Sequence, residues 1–147
     1  LYRAGTLSDL DPAHLAHLRH RNIVHVFDLR SAREVKRAPY TLPEGMVAHH
    51  LPNGGDDDDL SPLALAQSYR VFTQGPAGFC RAYQQILACS GPTLRDFYMH
   101  LASPEAATTA TLVHCAAGKD RTGVCVAVLL SFLGVADALV AAEYSLT

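Results

Sequence analysis

Apolar and polar positions follow two rhythms along this chain: short branched runs, and longer stretches with helical spacing. Ile23-Val24-His25-Val26-Phe27 is rich in β-branched and aromatic residues and predicts a strand ending at Asp28-Leu29-Arg30. Met46 to Leu51 predicts a second strand, closed by Pro52-Asn53-Gly54-Gly55, and Thr111-Leu112-Val113-His114 predicts a third. Helical segments with recognisable ends lie between them. Asp11-Pro12 supplies an N-cap and a first-turn proline for a helix to about Arg21. Ser31, with Glu34 three residues on, is a capping box for a short helix. Ser61-Pro62 opens a helix to about Gln74, broken by Gly75-Pro76, on which Leu63, Leu65 and Tyr69 are expected to pack into the core or a lid. Gly78 to Cys89 and Pro92 to Ala102 predict two more helices, separated by Ser90-Gly91. A strongly apolar helix is expected from Thr122 to about Leu133, and Asp137 is expected to cap a last one. Strands interspersed with helices predict an α/β fold of three layers, with a short, mainly parallel central sheet flanked by helices.

Composition narrows the class. With 147 residues, 49% hydrophobic and 18% charged, the chain reads as a single globular domain over residues 1–147. A formal net charge of −2 gives no general attraction to nucleic acid or anionic membrane, so anion recognition has to be local. The acidic run Asp56 to Asp59 follows two glycines and reads as a solvated loop. The uncharged stretch 123–136 is 14 residues, too short to span a bilayer, and no basic start followed by an apolar run opens the chain. Cys80, Cys89, Cys115 and Cys125 form no C-x-x-C pair, which predicts a reducing, cytoplasmic setting. The first residue is Leu1, and Thr147 falls within a helical pattern, so the domain reads as cut short at both ends. Oligomeric state is not legible.

One segment carries chemistry. His114-Cys115-Ala116-Ala117-Gly118-Lys119-Asp120-Arg121-Thr122-Gly123 joins the third predicted strand to the apolar helix. A helix N-terminus offers unpaired backbone N–H groups and the positive end of the dipole. The small residues Ala116, Ala117 and Gly118 let the backbone wrap so that successive amides point inward as a nest. Arg121 adds a planar fork for two phosphate oxygens, and Lys119 is either further charge at the mouth or a solvated lysine. Such a cradle favours the thiolate of Cys115, aligned for in-line attack on phosphorus, with the Thr122 hydroxyl able to hydrogen-bond the departing sulfur. His114 is expected to fix the loop through backbone hydrogen bonds. Asp120 is either the general acid or simply the cap of the following helix. Asp28, at a strand end where α/β ligand sites gather, is the rival acid, or else a structural hydrogen-bonding group. Arg30 is its ion-pair partner or a second phosphate contact.

Cys115 to Arg121 matches the C-x5-R signature of the protein tyrosine phosphatase superfamily. The fuller His114-Cys115-x-x-Gly118-Lys119-Asp120-Arg121-Thr122-Gly123 resembles the atypical bacterial and fungal branch, whose members act on phosphotyrosine, phosphoserine/threonine or phosphoinositides. Tyr2-Arg3-Ala4-Gly5 through Leu7-Ser8, Asp28-Leu29-Arg30-Ser31 with Glu34, and Glu143 to Thr147 are also similar to family segments. The family's usual Asn-Phe-Arg-Asp-like opening and further C-terminal helices lie outside this sequence. With no tryptophan, there is no Trp-Pro-Asp acid loop. The resemblance implies a cysteine phosphatase fold. It also implies a cysteine-dependent phosphate monoester hydrolase working through a phosphocysteine on phosphorylated proteins or phosphoinositides, with no cofactor and no metal.

Other readings compete. An NTPase loop would need glycine where Val113 stands and Ser or Thr where Asp120 stands. A cysteine protease would need His114 to face Cys115, but neighbours along a strand face opposite ways. An arsenate reductase would need a resolving thiol, and Cys80, Cys89 and Cys125 are not evidently placed for it. His14, His17 and His20, and the pair His49-His50, lack ligand spacing to a cysteine or acid and predict no zinc site. A pseudophosphatase, binding phosphate as an interaction module without turnover, is the alternative from another class.

Overall fold

The computed structural model describes residues 1–53 and 70–147. The acidic run Asp56 to Asp59, the Ser61-Pro62 helix start, Leu63, Leu65, Tyr69 and most of the expected lid lie outside the described residues. The sheet has four parallel strands in the order β1-β4-β2-β3: β1 (Tyr2–Ala4), β2 (Ile23–Asp28), β3 (Val47–His50) and β4 (Ala110–His114). The helices are α1 (Pro12–His20), α2 (Ala32–Arg37), α3 (Pro76–Cys89), α4 (Gly91–Leu101), α5 (Asp120–Phe132) and α6 (Asp137–Tyr144), with a 3₁₀ turn at Phe72–Gln74. Three layers and a parallel sheet are as expected. The strand β1 has no counterpart in the apolar pattern, because a three-residue edge strand leaves too short a run to show alternation.

Local chemistry explains the helix ends. Asp11 caps α1 by accepting from the His14 amide at 2.8 Å. Ser31 and Glu34 form the reciprocal capping box of α2, with the Ser31 amide donating to Glu34 Oε2 at 2.7 Å. Asp137 is a correction: it stands inside the first turn of α6 after Ala136, where it faces the helix dipole instead of capping.

Two cores sit on opposite faces of the sheet. Leu7, Leu15, Ile23, Val26 and Leu112 pack beneath α1. Phe27, Leu29, Phe97, Val113, Cys125 and Val126 pack under α4 and α5, and Cys115 itself belongs to this cluster. Phe97 is fully buried and meets Phe27 edge-on, with ring centroids 5.0 Å apart. Replacing it empties the space on which α4 seats. Phe97→Ala should lower unfolding free energy by about 3–5 kcal/mol, read from urea denaturation.

Candidate active site

The strand β4 runs between β1 and β2, and both neighbours hold the loop that leaves its C-terminal end. The Leu29 amide donates to the His114 carbonyl and the Thr6 amide to the Ala116 carbonyl, each at 2.8 Å. The turn into α5 needs a left-handed residue, and Gly118 supplies it at φ +71°. A Cβ there would lie 2.3 Å from the Ala4 carbonyl oxygen, so glycine is demanded by space as well as by backbone. From this position the Gly118 amide donates to Cys115 Sγ at 3.2 Å. Arg3 holds the other side of the peptide chain, with Nη2 donating to the Gly118 carbonyl at 2.9 Å. Its Nη1 pairs with both oxygens of Glu143 at 2.8 and 2.9 Å. Cys115 and Gly118 are buried, Ala116 and Ala117 are exposed, and Lys119 is half-buried at the N-terminal edge of α5.

Arg121 comes from the first turn of α5 and is held by Glu34 of α2. Nη1 donates to Glu34 Oε2 at 2.6 Å and Nη2 to Oε1 at 2.7 Å, a bidentate fork that fixes the guanidinium plane. Burial pushes the Glu34 carboxyl up. The hydrogen bonds and charge of Arg121 more than offset this and leave it below the usual glutamate range.

His114 is fully buried, with Nδ1 donating to the Cys115 carbonyl at 3.1 Å and Nε2 3.1 Å from the Tyr40 hydroxyl. Burial holds it below the ordinary histidine value, so it is neutral at pH 7. Asp28 is also buried, and both of its oxygens are engaged by Arg30: Nε lies 3.0 Å from Oδ1 and Nη2 2.7 Å from Oδ2. The remaining Arg30 donors reach Thr6, Ser8 and the Ala38 carbonyl, which makes it an internal ion-pair partner and not a surface contact. Asp120 opens α5 without making a capping hydrogen bond. Its Oδ1 accepts from the Tyr83 hydroxyl at 2.7 Å, and Tyr83 in turn hydrogen-bonds Tyr144 of α6. Thr122 Oγ1 is buried with no hydrogen-bond partner among the described residues; in this geometry Gly118, and not Thr122, supplies the bond to sulfur.

The structure thus gathers Cys115, Gly118, Asp120 and Arg121 on one strand–loop–helix junction, and sets Asp28 behind it. Arg3, Tyr83 and the second role of Glu34 are not evident from the sequence. Arg3 and Glu34 stand in segments of family resemblance, whereas Tyr83 left no signal beyond its helical position. A thiol opening and an arginine closing a strand-to-helix phosphate loop on a parallel sheet define the cysteine phosphate-loop class of α/β proteins. The chain belongs to the tyrosine phosphatase family, whose model it matches over residues 1–147. It is 34% identical to the triple specificity protein phosphatase PtpB of Mycobacterium tuberculosis over 98% of this chain and 59% of that protein. It is 29% identical to a tyrosine-protein phosphatase of Nostoc commune over 97% of this chain and 45% of that protein. The chain therefore spans about half the length of these curated relatives.

Two outcomes follow from the loop geometry. Gly118→Ala should remove phosphate or vanadate binding, because the new Cβ must displace the Ala4 carbonyl; calorimetric titration with vanadate reads this. Glu34 titrates below its unfolded value, so its contribution to stability is complete above that value, about 4.3, and is lost as pH falls through the folded one. The stability difference between wild type and Glu34→Gln, read from urea midpoints, should accordingly be largest near neutrality and shrink below about pH 4.

Proposed function

We propose that this protein hydrolyses phosphate monoesters through a phosphocysteine intermediate. The observation that carries the reading is the junction itself: Cys115 Sγ takes the Gly118 amide, and the fork of Arg121 is set by Glu34. The Cys115 thiolate attacks phosphorus, the ester P–O bond breaks, and the leaving oxygen takes a proton from the Asp120 carboxyl. Water then attacks the phosphocysteine and gives a proton to the Asp120 carboxylate, the S–P bond breaks, and inorganic phosphate leaves with the thiolate and the Asp120 carboxyl restored. Arg121 and the loop amides of Ala116, Ala117 and Lys119 stabilise the equatorial oxygens as charge develops, while the Gly118 amide stays on the sulfur. The loop and arginine supply this positive charge without a metal.

Asp120 is the acid of this scheme in preference to Asp28. Tyr83 holds one Asp120 oxygen, and among the described residues Oδ2 has no partner and is left for the proton. The substrates are phosphorylated protein side chains, in keeping with the names carried by both relatives. Phosphoinositides are the other arm of the same release assay.

Cys115→Ser should abolish turnover of p-nitrophenyl phosphate while vanadate or phosphate still binds. If wild type binds phosphate without releasing it from any monoester, the fold is a binding module and the hydrolytic reading falls. General acid help is worth about 10²–10⁴-fold and matters most for a poor leaving group. Asp120→Asn should therefore depress phenyl phosphate turnover far more than p-nitrophenyl phosphate turnover. Equal loss on both substrates would assign Asp120 to loop organisation and move the leaving-group test to Asp28→Asn.

A further inference from the structure

Three imidazoles and a carboxylate meet on the α4 face of the sheet, well away from the phosphate loop. His25 of β2 is 3% exposed, and its Nδ1 lies 3.0 Å from Nε2 of His49 on β3. The His49 ring is in turn stacked on Phe27 with centroids 4.4 Å apart. The His100 ring, from the last turn of α4, sits 4.4 Å from His25 between centroids. Glu105 belongs to the turn joining α4 to β4 and brings Oε1 to 3.1 Å from His25 Nε2. Ligand atoms of His25, His100 and Glu105 all lie within 4.8 Å of one another.

The second observation is an orphan. His25 Nε2 is buried and makes no hydrogen bond among the described residues, although the Glu105 oxygen is close, because the two are not aligned for one. In the tautomer that donates Nδ1–H to His49, Nε2 carries a lone pair that faces a carboxylate. Two acceptors at this distance repel unless a cation lies between them. Neutral imidazole is the form that ligates metal.

We propose that His25, His100 and Glu105 form a binding site for a divalent transition-metal cation of the zinc class, with His49 as a positioning residue for His25. Imidazole and carboxylate donors bind zinc at about 2.0–2.2 Å in tetrahedral geometry, which leaves the fourth position to water. The ring hydrogen bond between His25 and His49 is the kind of outer contact that fixes tautomer and orientation at such a site. The cation would tie the α4–β4 turn to β2. His25 pairs with Thr111, four positions before Cys115, about 13 Å back along the strand. The site therefore lies too far back to take part in phosphoryl transfer.

The test is zinc titration of chelator-treated protein, followed by calorimetry and thermal unfolding, with cobalt absorption as a spectroscopic check of geometry. Wild type and Cys115→Ser should each bind a single cation per chain and gain melting temperature; Cys115→Ser removes the catalytic thiolate as a rival ligand. The Glu105 side chain is 62% exposed, so Glu105→Gln should fold normally yet bind zinc at least about tenfold more weakly. His100→Gln should do the same. No saturable binding overturns the proposal. So does binding that survives Glu105→Gln and His100→Gln but vanishes in Cys115→Ser or His17→Gln. A melting temperature that follows pH through Glu105 and ignores zinc would identify a proton in place of the cation, and overturns it as well.

Discussion

The phosphate loop can take its shape only where the backbone of β1 admits it. Gly118 lies so close to the Ala4 carbonyl that no side chain fits between them; the strand also supplies Arg3 to the Gly118 carbonyl, and Thr6, just beyond its end, gives its N–H to the Ala116 carbonyl. A three-residue strand on the edge of the sheet thus acts as the template for the loop. In-line attack demands a sulfur held to within a fraction of an ångström, and misplacement by about 1 Å can cost 10²-fold in rate. The exposed side of the loop, Ala116 and Ala117, is free for an anion because its other side is anchored in this way. The anchoring is distributed: Arg3 also pairs with Glu143, so the far end of α6 is tied to the strand that shapes the loop.

On the other side of β4 the controlling group is a single carboxylate. Glu34 Oε2 accepts both from the Ser31 amide, closing the cap of α2, and from Arg121 Nη1, while Oε1 accepts from Nη2. The helix cap and the anchor of the Arg121 guanidinium are therefore one object. Moving α2 moves the guanidinium plane. The start of α2 is fixed in turn by the buried Asp28–Arg30 pair at the end of β2, whose guanidinium also bonds the Ala38 carbonyl beyond the end of α2. A buried pair of this kind offers little net stabilisation over an apolar replacement, yet loss of either partner is severe, at about 3–5 kcal/mol. Its value here lies in geometry: it gives β2, α2 and the segment around Thr6 and Ser8 one fixed arrangement.

Much of this arrangement is legible in the sequence because it rests on local rules. The strand-like run 23–27, the Asp11 cap, the Ser31/Glu34 box and the strand–loop–helix junction are all encoded by neighbours in the chain, and each is found in the structure. The phosphate loop is legible for a further reason: cradle, thiol and fork must follow one another within a single turn. What sequence reading misses is carried by contacts between distant residues. Glu34 and Arg121 are 87 positions apart, Arg3 and Glu143 are 140 apart, and Tyr83 and Asp120 are 37 apart. The histidines behave likewise. His14, His17 and His20 show a regular spacing yet project from an outer helix, where His14 pairs with Asp11. His25, His49 and His100 have no spacing to notice and are brought together by β2, β3 and α4.

The two aspartates show how the fold divides roles that the sequence leaves open. Both stand at the C-terminal side of the sheet, and both can be written as proton donors. Asp28 has both oxygens engaged by the Arg30 guanidinium and accepts a further bond from the Arg30 amide at 3.0 Å, which commits both oxygens to that internal pair. Among the described residues Asp120 is held at one oxygen only, and by a phenol, whose own ionisation is pushed up by burial and then by its bonds to Tyr144 and Asp120. Tyr83 therefore remains a neutral donor across the working range. It orients the Asp120 carboxyl without competing for its proton. Because Tyr83 comes from α3 and its own partner Tyr144 from α6, the orientation of the Asp120 carboxyl depends on both helices, and α6 also reaches the loop through Glu143 and Arg3. In the proposed reaction, these two helices therefore bear on the step that releases the alcohol, while α2 bears on the step that binds phosphate.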